Sequence, residues 1–223
     1  MIGRRSPRAT AFDSAARAAS NTEQPTGADG ARCLADQSAG PYDSRDYGDL
    51  GELLDAGSLW LPLAAGPALH FSMDQASQAV LAAVYMHGES AMQLQAYAAP
   101  KSGILWDKVR LDLRTAIANS GGNSVDAEGE FGTELQANVP VGQGAQVQLA
   151  PQRFVGVDGN RWLLKATITG TAAQDITAAA PLFEILRRVV VNRGNAPYPP
   201  RELLPLHLPQ QAPGHLSGGS ASC

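Results

Sequence analysis

Four carboxylates between residues 126 and 134 come closest, in type and spacing, to a group that could do chemistry. Two neighbouring carboxyl groups can act as general acid and base when burial raises the pKa of one of them. Carboxylate oxygens also bind hard cations such as Mg²⁺, although spacing alone selects no cation. The same pattern is typical of a solvated acidic loop, the interpretation that we favour. The four residues are Asp126, Glu128, Glu130 and Glu134.

The histidines and cysteines indicate neither a catalytic nor a metal site. None of the four histidines has the H-x₃-H or H-E-x-x-H spacing, and the two cysteines are Cys33 and Cys223. A structural zinc ion needs about four such ligands in a tetrahedron. The serines near His70 and His87 have no assignable base and orienting group. The sequence therefore predicts no catalytic residue, no cofactor and no metal ion.

Glycine-containing segments at 142–144 and 156–159 are similar to phosphate-binding loops in composition only. A phosphate loop must lead into a helix, whose free N–H groups and dipole bind the anion. Both segments lead into strand-like sequence instead. We interpret both as turns.

Net charge and hydropathy argue against nucleic-acid-binding, membrane-spanning and secreted proteins. The 223 residues carry a net charge of −4, with 44% hydrophobic and 17% charged residues, so the chain is globular and a broad nucleic-acid surface is disfavoured. No apolar run approaches the roughly 18 residues that cross a bilayer. The basic start lacks the apolar segment of about 7–15 residues that a signal peptide requires. We therefore expect a cytoplasmic protein with no membrane association.

Two groups of segments show the alternation of apolar and polar residues that is typical of antiparallel strands. In the first group Met92, Leu94 and Ala96 alternate with Gln93 and Gln95. In the second, an Asp-Gly pair between two strand-like runs predicts a hairpin. The predicted strands are 69–73, 78–86, 89–97, 134–141, 147–149, 153–157 and 161–169.

Two segments have the three- and four-residue spacing of helices. The first follows Ser102, a plausible N-cap, and ends at Gly121-Gly122. The second extends from about Thr177 to Asn192, with Gly194 as its stop. Trp106 on the first helix and Trp162 on a strand fall on apolar faces, which predicts that both are buried.

The order of strands, helix, strands, helix predicts an α+β fold, with a mostly antiparallel β-sheet flanked by two helices. Residues 1–40 lack any apolar pattern and are expected to be a disordered tail. We predict a single α+β domain over 41–197 and a disordered tail over 210–223. Between them, the proline-rich residues 198–209 carry several leucines, which indicates an extended arm docked on the domain.

Several segments of the chain, read in order, resemble an actinobacterial family known only as a domain of unknown function, number 3710. The resemblance covers residues 40–209 and implies an actinobacterial, cytoplasmic protein. Since the family has no assigned activity, it implies no catalytic residue. The segments are Gly40-Pro41-Tyr42-Asp43, Leu94-Gln95-Ala96-Tyr97-Ala98-Ala99-Pro100, Ile104-Leu105-Trp106-Asp107-Lys108-Val109-Arg110, Phe131-Gly132-Thr133-Glu134-Leu135, Phe154-Val155-Gly156-Val157-Asp158-Gly159-Asn160-Arg161-Trp162 and Pro199-Pro200-Arg201-Glu202-Leu203-Leu204-Pro205-Leu206.

The element order and the Gly-x-Asp-Gly-x-Arg-aromatic hairpin are also similar to the Mog1 and PsbP type of α+β fold. That resemblance implies a binding or assembly factor. The first functional hypothesis is accordingly a non-enzymatic protein-binding or adaptor domain. The alternative is a small-molecule-binding protein, or an enzyme acting on a polar metabolite through the acidic loop 126–134.

The candidate ligand or partner surface combines polar strand residues with that loop and two nearby arginines. A protein partner is expected and nucleic acid is not, while the oligomeric state is left open by the sequence. The candidate residues are Gln93, Gln95, Glu130, Glu134, Gln136, Arg153 and Arg161.

Overall fold

The structure is a computed structural model that describes residues 40–101, 104–142 and 147–209. Outside these ranges lie Cys33, Cys223, His215, Ser102, most of the 142–144 segment and both predicted disordered tails except Gly40. A short 3-10 turn at Thr171–Ala173 precedes the last helix. In chain order the elements are β1 (Tyr42–Asp43), α1 (Ser44–Tyr47), β2 (Leu54–Asp55), β3 (Leu59–Leu61), β4 (Ala68–Met73), β5 (Val80–His87), β6 (Ser90–Ala98), α2 (Trp106–Asn119), β7 (Asn123–Gly129), β8 (Gly132–Val141), β9 (Gln148–Gly159), β10 (Trp162–Thr169), α3 (Ile176–Arg188) and β11 (Val190–Val191).

Seven strands form an antiparallel sheet in the order β4-β5-β6-β10-β9-β8-β7. Each strand pairs with its neighbour in the chain except at the centre, where β6 pairs with β10 across the intervening α2 and three strands. The remaining four strands form a small sheet in the order β1-β11-β3-β2. The predicted α+β class with a mostly antiparallel sheet is confirmed.

One face of the large sheet, which we call face A, is covered by α3 and the small sheet. Its core alternates along the central strands, as period-two sequence requires, and includes Leu94, Trp162 and Ile168 together with Leu182 and Leu186 of α3. All five are buried. This is the larger of the two hydrophobic clusters.

The opposite face, face B, is partly covered by α2. The indole of Trp106 lies on β9 at Gly156, where a Cβ atom would come within 2.1 Å of the ring. Leu163, Phe154 and Leu135 complete this smaller cluster. Because β10 is covered on both faces, Leu163 and Leu164 are both buried.

The arm over 198–209 is extended and lies along β6. The backbone N–H of Ala98 donates to Glu202 and that of Leu204 donates to Ala96, both at 2.8 Å. The pairing of β5 with β6 ends at Ala83 and Leu94, so the arm takes the place of β5 along the rest of β6. No helix among the described residues is long and apolar enough to cross a membrane.

Several local predictions were wrong. The last helix ends at Arg188 because Val190 and Val191 enter the small sheet between β1 and β3. The acidic segment at 126–134 is not a loop, because it forms the end of β7, a tight turn and the start of β8. The sequence assigned no orientation to the side chains of β5, where Met86 is exposed and Tyr85 is buried with its hydroxyl donating to the carbonyl of Pro62 at 2.8 Å.

Candidate functional site

The predicted surface residues lie on both faces of the sheet. Gln136 pairs with Arg153, and Arg153 pairs with Ile168, which places these side chains on face A. Gln95 pairs with Lys165 on face B, and Gln93 shares that face. The candidate residues Gln93 and Gln95 therefore lie on the face opposite to Gln136.

Glu134 and Arg153 form a buried pair on face A. Their Oε1 and Nε atoms are 3.6 Å apart, and Nε also donates to the carbonyl of Ala173 at 3.2 Å. Gln136 donates to Glu134 at 3.2 Å, and the guanidinium lies 5.9 Å from the ring of Phe183. With its charges matched, this pair joins β8 and β9 to the 3-10 turn that precedes α3.

Of the other carboxylates in the 126–134 segment, Glu130 and Asp126 pair with different arginines, and Glu128 accepts from the Thr133 hydroxyl at 3.2 Å. Glu130 accepts from Arg187 of α3, with Nη2 at 2.6 Å. Asp126 lies on face B and pairs with Arg110 at 2.6 Å and Arg114 at 2.8 Å. The segment therefore forms no shared acidic pocket. Within the described ranges, no three His, Cys, Asp or Glu side chains are grouped so that they could hold a metal ion.

Arg161 stands apart from the other candidates. It occupies the two-residue turn between β9 and β10 with a φ of 67°, and its carbonyl accepts from Ala99 and Arg193. Ser90, considered beside His87, is also committed to the backbone, because its Oγ accepts the N–H of Ala172 at 3.0 Å.

A pocket of about 310 Å³ lies on face B, between α2, the sheet and the arm. We call it the α2 pocket. It exists because α2 packs over β7, β8 and β9 and leaves β6 and β10 partly uncovered. Its wall is mostly apolar, with polar groups on the floor and at the mouth. The lining residues are Tyr97, Leu105, Val109, Asp112, Leu113, Ala116, Lys165 and Arg201.

Lys165 and Tyr97 form the polar floor of the pocket. The Lys165 Nζ atom lies 5.4 Å from the centroid of the Tyr97 ring, and the Tyr97 hydroxyl donates to Gln95 at 3.1 Å. Burial lowers the pKa of Lys165 and raises the pKa of Tyr97. Among the described residues, Lys165 has no hydrogen-bond or ion-pair partner.

An ion pair between Arg201 of the arm and Asp112 of α2 closes one side of the mouth at 2.7 Å. Both side chains are exposed, so the pair is weak and can open. Arg201 has a φ of 74°, in the left-handed region that costs energy for any residue except glycine. The arm therefore holds this guanidinium at the pocket in spite of that backbone cost.

The position of α2 is fixed by two contacts with β9. Besides the indole of Trp106 on Gly156, the carboxylate of Asp158 accepts the N–H groups of Leu105 and Trp106 at 2.9 and 3.0 Å. Asp158 thus caps a helix to which it is not joined in sequence. Burial raises its pKa, with backbone hydrogen bonds opposing and Asp107 reinforcing the shift.

Sequence reasoning missed the α2 pocket. One signal was present: Lys165 is the single charged residue of the strand Trp162–Thr169, between Leu164 and Ala166 and with Leu163 before it on its own face. Its meaning depends on the β6–β10 register and on where α2 lies, and neither follows from local pattern.

Comparison with known proteins identifies the family of the chain and one distant structural similarity. The family model described as "Protein of unknown function (DUF3710)" matches residues 40–215, the family that the sequence landmarks indicated. No curated protein matches the chain. The solution structure of cyanobacterial PsbP (CyanoP) from Synechocystis sp. PCC 6803 is similar at 10% identity with a TM-score of 0.35, over 65% of this chain and 96% of that one.

Proposed function

Since this chain belongs to the DUF3710 family of proteins of unknown function, its membership supplies no activity, and we propose from the pocket itself that it binds a small, largely apolar molecule. The site is the α2 pocket. Small-molecule sites are typically concave and mostly apolar, with a few polar groups that fix orientation and volumes from about 300 Å³ upward. The α2 pocket meets each of these conditions.

The observation that carries the proposal is Lys165 at the base of an apolar cleft, whose ammonium faces the Tyr97 ring but has no anion or hydrogen-bond acceptor among the described residues. Burial disfavours the charged form of Lys165 and lowers its pKa, and an anion beside the ammonium would offset that effect. Three hydrophobic side chains of the α2 segment, Leu105, Val109 and Leu113, stand above it without filling the space. A bound molecule would cover both the apolar wall and the charge.

Binding is tested by titrating ¹⁵N-labelled full-length protein with 1-octanol and with octanoate and following backbone amide shifts. We expect shifts confined to α2, the ends of β6 and β10, and the arm. Ala116→Phe places a ring at the edge of the pocket and should weaken binding by about tenfold or more. Ala118→Phe, on the same helix but outside the pocket, is the matched control. Absence of localised shifts with both molecules, or equal loss in both variants, would contradict the proposal.

The protein-binding hypothesis is a second candidate, and one surface favours it. On face A beyond α3, Val125 and Leu149 are 61% and 52% exposed, with Pro140 and Gln136 beside them in the β7–β8–β9 register. Exposed apolar side chains on one face of a sheet are typical of contact surfaces. The cytoplasmic location and actinobacterial source are likewise proposals from the sequence.

That second candidate is tested by affinity capture with the full chain and with the double variant Val125→Glu, Leu149→Glu. A stoichiometric partner that is lost with this variant, but kept with Leu111→Glu on the exposed side of α2, would support the hypothesis. A partner held equally by all three proteins would show that this surface is not the contact.

A further inference from the structure

We infer that the ligand of the α2 pocket is a monocarboxylate with an apolar body, about ten non-hydrogen atoms in all, whose carboxylate binds Lys165. This inference rests on the proposed function and adds the class of ligand. It is carried by the size of the pocket, by its apolar wall and by the balance of charge around it.

The size follows from the volume. A space of about 310 Å³ equals the liquid volume of about ten water molecules, and therefore holds a molecule of roughly that many non-hydrogen atoms. The wall above the floor is formed by Leu105, Val109, Leu113 and Ala116. None of these side chains can donate or accept a hydrogen bond, so most of the ligand must be apolar.

The sign of the ligand charge follows from Lys165. Its neighbours across the strands are Gln95 on β6 and Gly156 on β9, one neutral and one without a side chain. The remaining titratable neighbour on the floor is Tyr97, whose raised pKa keeps it neutral at ordinary pH. Nothing described on the sheet neutralises the ammonium, and an anion is its natural complement.

The net charge expected for the ligand follows from the charged residues at the mouth of the pocket. Arg201 and Asp112 neutralise each other at 2.7 Å, which leaves one net positive charge around the pocket. A monoanion balances that charge, whereas a dianion such as a phosphate monoester would carry one negative charge in excess. A cation would be repelled by Lys165. Among common monoanionic groups, a carboxylate accepts well from an ammonium and remains ionised at neutral pH.

The test compares three eight-carbon molecules that differ in their head group: octanoate, 1-octanol and octylamine. Dissociation constants are measured by amide-shift titration of the full-length protein. We expect octanoate to bind about tenfold or more tightly than octanol, since a charge-assisted hydrogen bond is stronger than a neutral one. Octylamine should bind more weakly than octanol.

Two substitutions at the pocket and one control outside it assign the effect to the charges. Lys165→Met keeps the length of the side chain and removes its charge, so octanoate should bind no more tightly than octanol. Lys108→Met removes an exposed charge on α2 outside the pocket and should change neither constant. Asp112→Asn removes the anion at the mouth and frees Arg201, which should make octanoate bind about threefold more tightly.

The failure of this inference is distinguishable from failure of the proposed function. If octanol binds in the pocket as tightly as octanoate, or if Lys165→Met and Asp112→Asn leave their ratio unchanged, the carboxylate assignment is wrong and the pocket remains a binding site. If none of the three molecules shifts the amides around the pocket, the proposed function itself is wrong.

Discussion

Asp43 connects the first strand to the centre of the large sheet through a single carboxylate. It accepts from Nε1 of Trp162 at 2.8 Å and from both Nε and Nη2 of Arg45. Burial alone would raise its pKa, but these hydrogen bonds outweigh burial and the pKa lies below the ordinary 3.8. The charged form therefore stabilises the fold.

We expect Asp43→Asn to lower the free energy of unfolding by about 1–3 kcal/mol at pH 7, because a buried acceptor is lost and its donors are left poorly paired. Because the folded-state pKa is depressed, the stability from ionisation is complete above the ordinary value and is lost as pH falls through the folded-state pKa. The difference between wild type and variant should accordingly shrink in acid. Urea unfolding at pH 7 and below pH 4 measures it.

Asp46→Asn on α1 is the matched control, since Asp46 is exposed. It should change the unfolding free energy by less than about 0.5 kcal/mol. A loss for Asp43→Asn that is the same at both pH values would show that the carboxylate acts only through its shape.

For single residues, the sequence predicts well which side chains are buried, but it predicts poorly which side chains form ion pairs. Trp106 and Trp162 are buried as expected, since each belongs to a regular apolar pattern. The sequence placed Arg153 in the same candidate surface as Glu134, but the ion pairs Glu134–Arg153 and Asp126–Arg110 form through strand register and helix placement. Those distances depend on the whole fold.

The cap of α2 is supplied by another element. Asp158 on β9 accepts from the first two N–H groups of the helix segment. We expect Asp158→Ala to cost about 1 kcal/mol, a typical value for the loss of a cap. It should also speed amide hydrogen exchange in α2 relative to α3, whose own cap is Asp175. Equal acceleration in both helices would indicate a loss of global stability instead.

The arm acts as a strand in the large sheet and as part of its core. Leu204 is fully buried, whereas Leu208 in the same arm is 50% exposed. Leu204→Ala should lower the unfolding free energy by about 2–5 kcal/mol, and Leu208→Ala by less than about 0.5 kcal/mol. Chemical denaturation measures both. Similar effects of the two substitutions would mean that the arm does not pack on β6 in solution.

Elements with a clear period were predictable from sequence, and short ones were not. The strands at 90–98 and 162–169 alternate over eight or nine residues. The small sheet has strands of two or three residues, too short to show any period. Val190 and Val191 were assigned to the last helix for that reason, although tertiary pairing makes them a strand.

The helices α2 and α3, which cover opposite faces of the large sheet, differ in how many residues they bury. Helix α2 buries only Trp106 and Ile117, whereas α3 buries five residues. We expect α2 to open locally at lower free energy than α3, and its amides to exchange faster. Hydrogen exchange followed by NMR measures both, and octanoate should slow exchange in α2 alone. Equal protection of the two helices would mean that α2 opens only when the whole molecule unfolds.

The pairing of β6 with β10 also bears on how the chain is made. Ala98 cannot pair until Trp162 has been synthesised, and Ala96 cannot pair until Leu204 has been synthesised. At translation rates of about 5–20 residues per second, that delay amounts to several seconds for every molecule synthesised. Throughout it the strand that will occupy the middle of the sheet has an open edge, which can pair with other nascent chains. Slower translation lengthens that exposure, so the yield of folded protein should depend on the pace of the ribosome between residues 98 and 169.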